Sequence, residues 1–370
     1  MKVKPIGLYV HIPFCVRKCN YCDFCSYDSL SRGMRAGYIT ALKKEIESYK
    51  KSDKILVDTI FFGGGTPSLL DPDEFDSIMD SIENTFEISS DVEFTVEVNP
   101  GTLSDEKIFA FVRRGVNRIS MGLQSVHENE QKNLGRIHNY EDFLKAYSMI
   151  RNAGIANFNV DLMYGIPGQT IESFKKTLSS VADLCPTHIS CYGLMLEEGT
   201  RFWDIKDDLD LPCEDDEVAM YEAASRILSD VGYSHYEISN YARPGYESRH
   251  NLKYWKCHEY IGVGASAYSY LDGKRFGNPS DINEYLSAGV KEYITEEADP
   301  EYEFVMLGLR LREGISLAEY RDRFGKDFIF ERKNVIDPYI DGGYVIHSGD
   351  RLSLSEKGFY ISNTILTDLL

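Results

Sequence analysis

Short apolar runs alternate with amphipathic stretches through the first half of the chain. The runs favour β-strands, and the stretches between them place apolar residues at helical spacing. This alternation is typical of parallel strands joined by crossover helices. The predicted strands cover residues 7–12, 56–62, 92–98, 118–122, 157–163 and 188–194, and the predicted helices cover residues 35–51, 72–86, 104–114, 141–153 and 170–184. Six strand–helix units are fewer than the eight of a closed barrel, so we predict an α/β fold with a partial (β/α)6 barrel, open along one side.

The pattern changes in the second half of the chain. Residues 206–217 are acidic, and residues 236–279 are rich in Tyr, Gly, Asn and Ser without regular periodicity. From residue 301, two helices precede a hairpin formed by residues 345–347 and 352–354, and a last helix follows. We therefore predict a partial-barrel core at residues 1–235, a connecting region over the barrel at 236–300, and a small helical, winged-helix-like domain at 301–370.

The charge of the chain argues against a nucleic-acid partner. There are 59 acidic and 40 basic residues, which give a formal net charge of −19. Such a surface repels nucleic acid. The winged-helix-like part follows the same trend, because residues 301–370 contain nine Lys and Arg against twelve Asp and Glu. We expect that part to pack or dock rather than to bind DNA.

The cysteines and the apolar runs indicate a cytoplasmic location. Four of the eight cysteines lie within residues 15–25, a crowding that suits a reducing compartment. The N-terminus reaches the first predicted strand without a signal-peptide pattern, and no apolar run is long enough to span a membrane.

Cys15, Cys19 and Cys22 form a C-x3-C-x2-C array directly after the first predicted strand. Three thiolates can hold one face of a [4Fe–4S] cluster, which normally has four cysteine ligands, and leave one iron open. A zinc site is the alternative, but zinc sites usually use a second C-x2-C pair, and none follows in the sequence. The array therefore favours the cluster. We assign no role to Cys25.

Further polar and glycine residues follow the other predicted strands. Gly64 and Gly65, in the string FFGGGTPS, would let the backbone approach a ligand closely, although a structural tight turn is the alternative. Glu97 and Asp161 are acids inside apolar strands, a costly arrangement unless they are paired. The carboxyl ends of barrel strands are where active sites collect, so these residues favour a binding site.

The cysteine array, with an aromatic residue before its third cysteine, resembles the radical S-adenosylmethionine (SAM) family. The strings YVHIPFC, GGGTPS, EVNPG, SMGLQS, GRIH and DLMYGIPGQT are together similar to its oxygen-independent coproporphyrinogen III oxidase branch. The resemblance implies a TIM-like partial barrel, a [4Fe–4S] cluster on the three cysteines, and SAM bound at the open iron. It implies SAM contacts from Tyr9, Tyr21, Gly64, Gly65, Thr66, Glu97, Gln124, Arg136 and Asp161.

This branch contains oxidases and a group of haem chaperones. The oxidases have a long extension before the cysteine motif, whereas this sequence starts fourteen residues before Cys15, and they place a cysteine where this chain has Phe24. The string HNLKYW at residues 250–255 matches the H-N-x-x-Y-W pattern of the chaperones. The resemblance thus implies a protein that binds haem and delivers it to haem proteins of the respiratory chain, with flavodoxin or ferredoxin as reductant and with peripheral association with a membrane.

Two points stay open from the sequence. One is whether SAM is cleaved catalytically, since the alternative is an oxygen-independent coproporphyrinogen III oxidase, or another radical SAM tetrapyrrole enzyme. The other is the haem ligand. His250 can be an axial ligand, with Tyr254 and Trp255 stacking on the porphyrin, or it can make ordinary hydrogen bonds. Cys257 and His258 are further candidate ligands, and His11 and His138 are expected to support the SAM pocket.

Overall fold

The six predicted strands lie side by side in one sheet. A computed structural model describes residues 4–288, 294–296 and 299–370 of the chain. The strands run parallel and in chain order, as the predicted partial barrel requires. They are β1 (Ile6–Ile12), β2 (Leu56–Gly64), β3 (Glu87–Val98), β4 (Arg118–Gln124), β5 (Asn157–Tyr164) and β6 (His188–Gly193).

The helices that connect these strands begin at side chains that cap their first turns. Ser104 accepts a hydrogen bond from Lys107 N, and Thr170 accepts one from Ser173 N. The predicted helices are all present. The short helix α4 was not predicted, because it has too few residues to show a helical pattern in the sequence. The helices are α1 (Arg32–Ser48), α2 (Pro72–Thr85), α3 (Asp105–Arg113), α4 (Glu128–Asn133), α5 (Tyr140–Asn152) and α6 (Ile171–Ala182), followed by α7 (Arg201–Asp204) and α8 (Glu214–Asp230).

The main hydrophobic core lies between the sheet and its helices. Every residue of β1 except Tyr9 is buried, which explains why this strand reads as a continuous apolar run. Phe75 of α2 and Phe111 of α3 meet edge to face with ring centroids 4.8 Å apart. This packing holds the strands rigidly, so the side chains at their ends have defined positions.

The region without periodicity extends the sheet on both sides. Beyond β6, β8 pairs antiparallel with β6, and β7 pairs with β8. Beyond β1, β9 pairs parallel with β1, and three antiparallel strands follow. These strands have two to four residues, too few to show a two-residue alternation in the sequence. The elements are β7 (Ser234–His235), β8 (Asn240–Ala242), α9 (Arg249–Trp255), β9 (Tyr260–Val263), β10 (Tyr268–Leu271), β11 (Lys274–Gly277), α10 (Ile282–Ala288) and β12 (Ile294–Glu296).

The barrel is open, as predicted, because β12 and β7 are the two unpaired edges of the sheet in the described part of the chain. Residues 289–293 and 297–298 of the predicted connecting region lie outside the described residues. The predicted boundary at residue 235 falls between β7 and β8, which pair with each other. The division into three parts remains a prediction.

The C-terminal part has its own hydrophobic core, which includes Phe304, Tyr320 and Ile365. The predicted hairpin is present as β14 and β15, and the two-residue strand β13 joins it to make a three-stranded sheet. Its elements are α11 (Pro300–Gly308), β13 (Ile315–Ser316), α12 (Leu317–Phe324), α13 (Phe328–Glu331), α14 (Lys333–Asp341), β14 (Val345–Ser348), β15 (Arg351–Leu354), α15 (Glu356–Tyr360) and α16 (Ser362–Leu369). Among the described residues, no helix combines the length and the apolar character needed to cross a bilayer.

Candidate cofactor site

A cavity of about 380 Å³ lies at the carboxyl ends of the parallel strands. Because these ends meet at one edge of the sheet, side chains far apart in sequence converge there. The cavity is lined by all the predicted cluster and SAM residues except Tyr9 and Thr66, namely Cys15, Cys19, Tyr21, Cys22, Gly64, Gly65, Glu97, Gln124, Arg136 and Asp161.

The loop that carries the three cysteines is held by backbone hydrogen bonds. Cys15 N donates to Tyr27 O at 3.0 Å, and Cys22 N donates to Cys19 O at 3.3 Å. Burial raises the pKa of the Cys22 thiol to about 11, so this thiol must release a proton when it binds metal. Among the described residues, no three His, Cys, Asp or Glu side chains are grouped closely enough to hold a single metal ion. The assignment of a [4Fe–4S] cluster to the three thiols remains a prediction.

The glycines at the end of β2 are required by the fold itself. Gly64 has a φ of +108°, and a methyl group there would lie 2.4 Å from Cε1 of His11. A methyl group at Gly65 would lie 2.7 Å from the carbonyl oxygen of Phe14. Only glycine lets β2 and the segment after β1 approach this closely. The same bare backbone forms part of the cavity wall.

Glu97 and Asp161 bring two carboxyl groups to the cavity. Burial raises the pKa of Glu97 to about 8, and the negative charge of Asp161 adds to the rise. Gly64 N donates to Glu97 Oε2 at 3.2 Å. Ser120 Oγ and Asn159 Nδ2 donate to the two oxygens of Asp161 at 3.1 and 2.8 Å. A positively charged ligand in the cavity would stabilise the ionised form of Glu97.

Gln124 and Arg136 present further polar groups. Gln124 has a φ of +70°, and its buried Oε1 has no hydrogen-bond partner among the described residues. An unpaired buried acceptor is costly unless a ligand or water satisfies it. Nη2 of Arg136 donates to Gly122 O at 2.6 Å and to Asn99 Oδ1 at 3.2 Å, which fixes the guanidinium at the cavity. Together with the paired acids, these groups fit a ligand that carries a positive charge, hydrogen-bond donors and a carboxylate, as SAM does.

Tyr9 and Thr66 lie outside the cavity lining. The Tyr9 hydroxyl is hydrogen-bonded to His11 Nδ1 at 3.0 Å. The Thr66 hydroxyl oxygen accepts a hydrogen bond from Asn99 Nδ2 at 2.8 Å and lies 3.7 Å from Cys15 Sγ. Thr66 thus contacts two residues of the cavity wall, whereas Tyr9 contacts His11, which does not line the cavity. Direct contact between SAM and either residue remains a prediction.

Family models and known relatives match this chain over its length. Residues 9–181 match the model of the Radical SAM superfamily, and residues 296–361 match the model of the HemN C-terminal domain. The protein named Heme chaperone HemW of Lactococcus lactis subsp. lactis (strain IL1403) is 34% identical over 100% of this chain and 98% of its own length. The protein of the same name from Escherichia coli (strain K12) is 34% identical over 99% of this chain and 98% of its own.

The chain belongs to the HemW family of radical SAM proteins. Membership of the radical SAM superfamily implies a [4Fe–4S] cluster and SAM. A solved structure shares the fold: coproporphyrinogen III oxidase (HemN) from Escherichia coli, described as a radical SAM enzyme, superposes with a TM-score of 0.85 over 99% of this chain and 90% of that one, at 22% identity. The predicted fold is thereby confirmed.

Sequence reasoning missed several residues of this candidate site. Asn99 links Thr66 and Arg136 through its side-chain amide, and Ser120 and Tyr192 line the cavity. Asn99 follows Glu97 by two residues, so the alternation of side chains along a strand was a signal for placing both on one face. Tyr192 carried no such signal, because its position at the cavity depends on how β6 packs beside β5.

His250 does not reach this cavity. Its ring lies deep in the core beside the amino-terminal halves of β1 and β2, where Nδ1 is hydrogen-bonded to Thr59 Oγ1 and Nε2 to the Tyr254 hydroxyl, both at 2.8 Å. Burial lowers the pKa of His250 to about 3, so the ring is neutral. The ordinary hydrogen bonds given above as the alternative are therefore present, and in this arrangement neither ring nitrogen can bind an iron atom.

Other residues named from the sequence have clear surroundings. The Cys25 thiol donates to Ser280 O at 3.1 Å and does not line the cavity, in line with its having no assigned role. His11 Nε2 is hydrogen-bonded to Cys25 O at 2.8 Å, and burial lowers the pKa of His11 to about 4. His138 lines a smaller cavity beside Thr66 and Arg136. Both histidines thus stand next to the cofactor residues.

Proposed function

We propose that the protein is a haem chaperone that holds a [4Fe–4S] cluster on Cys15, Cys19 and Cys22, binds SAM beside it, binds haem, and delivers haem to haem proteins of the respiratory chain. The main support is full-length similarity to proteins named Heme chaperone HemW, combined with a cavity that gathers the three thiols and the acids. All eight cysteines are free thiols, which suits work in the cytoplasm.

Each cavity residue has a definite part in this proposal. When bound and reduced, the cluster would be able to supply an electron for reductive cleavage of the SAM sulfonium. Glu97 and Asp161 would face the positive charge of SAM, and Arg136 would pair with its carboxylate. The unpaired Gln124 oxygen would accept from an amine or a ribose hydroxyl. These side chains bind and orient SAM and keep water from it.

A paired assay on anaerobically reconstituted protein tests the proposal. In one arm, hemin is added and the loaded protein is mixed with an apo haem protein. In the other, coproporphyrinogen III, SAM and a reductant are supplied. We expect haem transfer in the first arm and no protoporphyrinogen IX in the second. Formation of protoporphyrinogen IX without haem transfer would overturn the proposal in favour of the oxidase.

The affinity for SAM should rise with pH. In the cofactor-free protein burial holds the pKa of Glu97 at about 8, so below that pH its carboxyl group must lose a proton before it can pair with the sulfonium. The affinity should therefore fall by up to about tenfold for each pH unit below 8 and level off above it. Isothermal titration calorimetry across the neutral and alkaline range measures this dependence.

Glu97→Gln is the control for this pH effect. It should bind SAM more weakly and lose the pH dependence. Without SAM, the wild-type folded state keeps a proton that the unfolded state releases, because burial raises the pKa of Glu97 above its ordinary value of 4.5. Stability should therefore fall as pH rises from about 4.5 to about 8, on the order of 1 kcal/mol per unit. Glu97→Gln should lack that fall in stability. A wild-type affinity for SAM that does not change with pH would contradict the role of Glu97.

A further inference from the structure

A second cavity, of about 570 Å³, lies at the opposite end of the core from the cofactor site. Its walls come from the residues before β1, the start of β2, the end of α9, and α12 of the C-terminal part. The volume is within the range of pockets that hold a cofactor-sized ligand. The residues that matter below are Lys4, Lys253, Cys257, His258, Tyr270 and Arg323.

The end of α9 places His258 on the wall of this cavity. His258 N donates to Lys253 O at 2.8 Å, and Cys257, with a φ of +51°, donates its N–H to Tyr254 O at 3.1 Å. These two bonds close the helix and fix the direction of the chain that follows. In the described part of the protein, the His258 imidazole has no hydrogen-bond partner. This differs from His250, both of whose ring nitrogens are engaged.

The His258 imidazole is suited to bind a metal. Partial burial lowers its pKa, and the nearby charges of Lys253, Arg323, Lys256 and Lys4 lower it further. Its ring nitrogens make no hydrogen bond among the described residues, and the uncharged imidazole is the form in which histidine binds iron. The same side chain also borders a smaller cavity, of about 90 Å³, whose wall includes the flat ring of Trp255.

The charge around this cavity differs from that of the protein as a whole. Lys4, Lys253 and Arg323 face it together with two acids, Asp58 and Glu259, although the net charge of the chain is −19. Lys253 Nζ lies 2.7 Å from Asp58 Oδ1, and Arg323 pairs with Glu319 of its own helix. Lys4 is the cation of this wall that makes no ion pair among the described residues, so it is available to an anionic group of a ligand.

We propose that this cavity is the haem site, in which the His258 imidazole binds the iron, Lys4 and Arg323 face the two propionates, and Tyr270 borders the porphyrin plane. The assignment rests on the proposed haem-chaperone function. Haem is the ligand whose chemistry matches the cavity, because it combines a metal that takes imidazole, a flat apolar ring and two carboxylates. The haem and cofactor sites then lie at opposite ends of the core.

Hemin titration of the reconstituted holoprotein tests the site, followed by the Soret band in difference spectra. His258→Ala should lower hemin affinity by about tenfold or more and should shift the Soret band. Even the loss of a residue that hydrogen-bonds to a metal ligand has an effect of this size. His347→Ala, which removes another exposed histidine, and His250→Ala should leave the band in place. Because the His258 side chain makes no hydrogen bond in the described residues, its variant should unfold at the wild-type temperature.

The charged part of the site has its own probe. Arg323→Gln should weaken hemin binding several-fold, and the effect should vanish with hemin dimethyl ester, which lacks the propionate charges. An unchanged Soret band and an unchanged hemin affinity in His258→Ala would overturn the assignment. A shift of the Soret band in Cys257→Ser instead of His258→Ala would overturn it as well. Failure of the wild-type protein to bind hemin at all is a different result, since it contradicts the proposed function.

Discussion

Cys22→Ala should leave the protein unable to hold its cluster. A [4Fe–4S] cubane needs three protein thiolates even when one iron is left to SAM, and in the described part of the chain Cys15, Cys19 and Cys22 are the cysteines that line the cavity. We expect the amount of iron and sulfide bound after anaerobic reconstitution to fall by about tenfold or more. Loss of a residue that only hydrogen-bonds to a metal ligand already costs about tenfold in metal affinity, and loss of the ligand itself should cost more. The fold should persist, because the thiol forms no part of the hydrophobic core.

Cys25→Ala is the matched control for Cys22→Ala. It removes a thiol three residues further along the same loop, one that donates to Ser280 O. The variant should keep the wild-type iron and sulfide content and the visible absorption of the cluster. Loss of iron in Cys25→Ala, or retention of a full cluster in Cys22→Ala, would show that the ligand set is different.

Gly64→Ala should destabilise the protein before any cofactor is bound. At a φ of +108° an alanine is strained, and its methyl group would lie 2.4 Å from the ring of His11. That ring is buried and hydrogen-bonded to Tyr9 and to Cys25 O, so it has little room to move. Backbone strain and overpacking each cost about 1–3 kcal/mol, and we expect a loss of about 3 kcal/mol in the free energy of unfolding.

Gly154→Ala separates strain from collision. Gly154 also has a left-handed φ, +84°, but nothing lies within 4 Å of the position of a new methyl group. Its substitution should cost only about 1 kcal/mol in urea denaturation of the cofactor-free protein. Equal losses in the free energy of unfolding for Gly64→Ala and Gly154→Ala would mean that the His11 ring moves aside. Gly64 would then matter for ligand access rather than for packing.

The H-N-x-x-Y-W string lies between the two proposed sites. His250 stacks on Phe61 with ring centroids 5.2 Å apart, and Phe61 stacks on Tyr9 at 6.1 Å, so aromatic contacts run toward the glycine end of β2. On its other side His250 meets Tyr254 edge to face, also at 5.2 Å. The histidine of this string is therefore part of the packed, hydrogen-bonded core between the cofactor cavity and the cavity beside His258.

The sequence by itself determined the strand–helix order and most of the cofactor cavity. Buried parallel strands must be continuously apolar, which made all six visible, and their carboxyl ends must share one edge. Hence Glu97, Gln124, Arg136 and Asp161 could be placed together without a structure. The cysteine spacing is local, so the cluster site needed no knowledge of long-range contacts.

Only the tertiary structure decided the surroundings of His250 and the course of the connecting region. His250 is hydrogen-bonded to Thr59, 191 positions earlier in the chain, and no local pattern encodes that partner. The short strands β8 to β11 gain their regularity from hydrogen bonds to neighbouring strands, because three or four residues cannot specify a strand alone. His258 acquires its cavity in the same way, from elements that meet only when the C-terminal part packs against the start of the barrel.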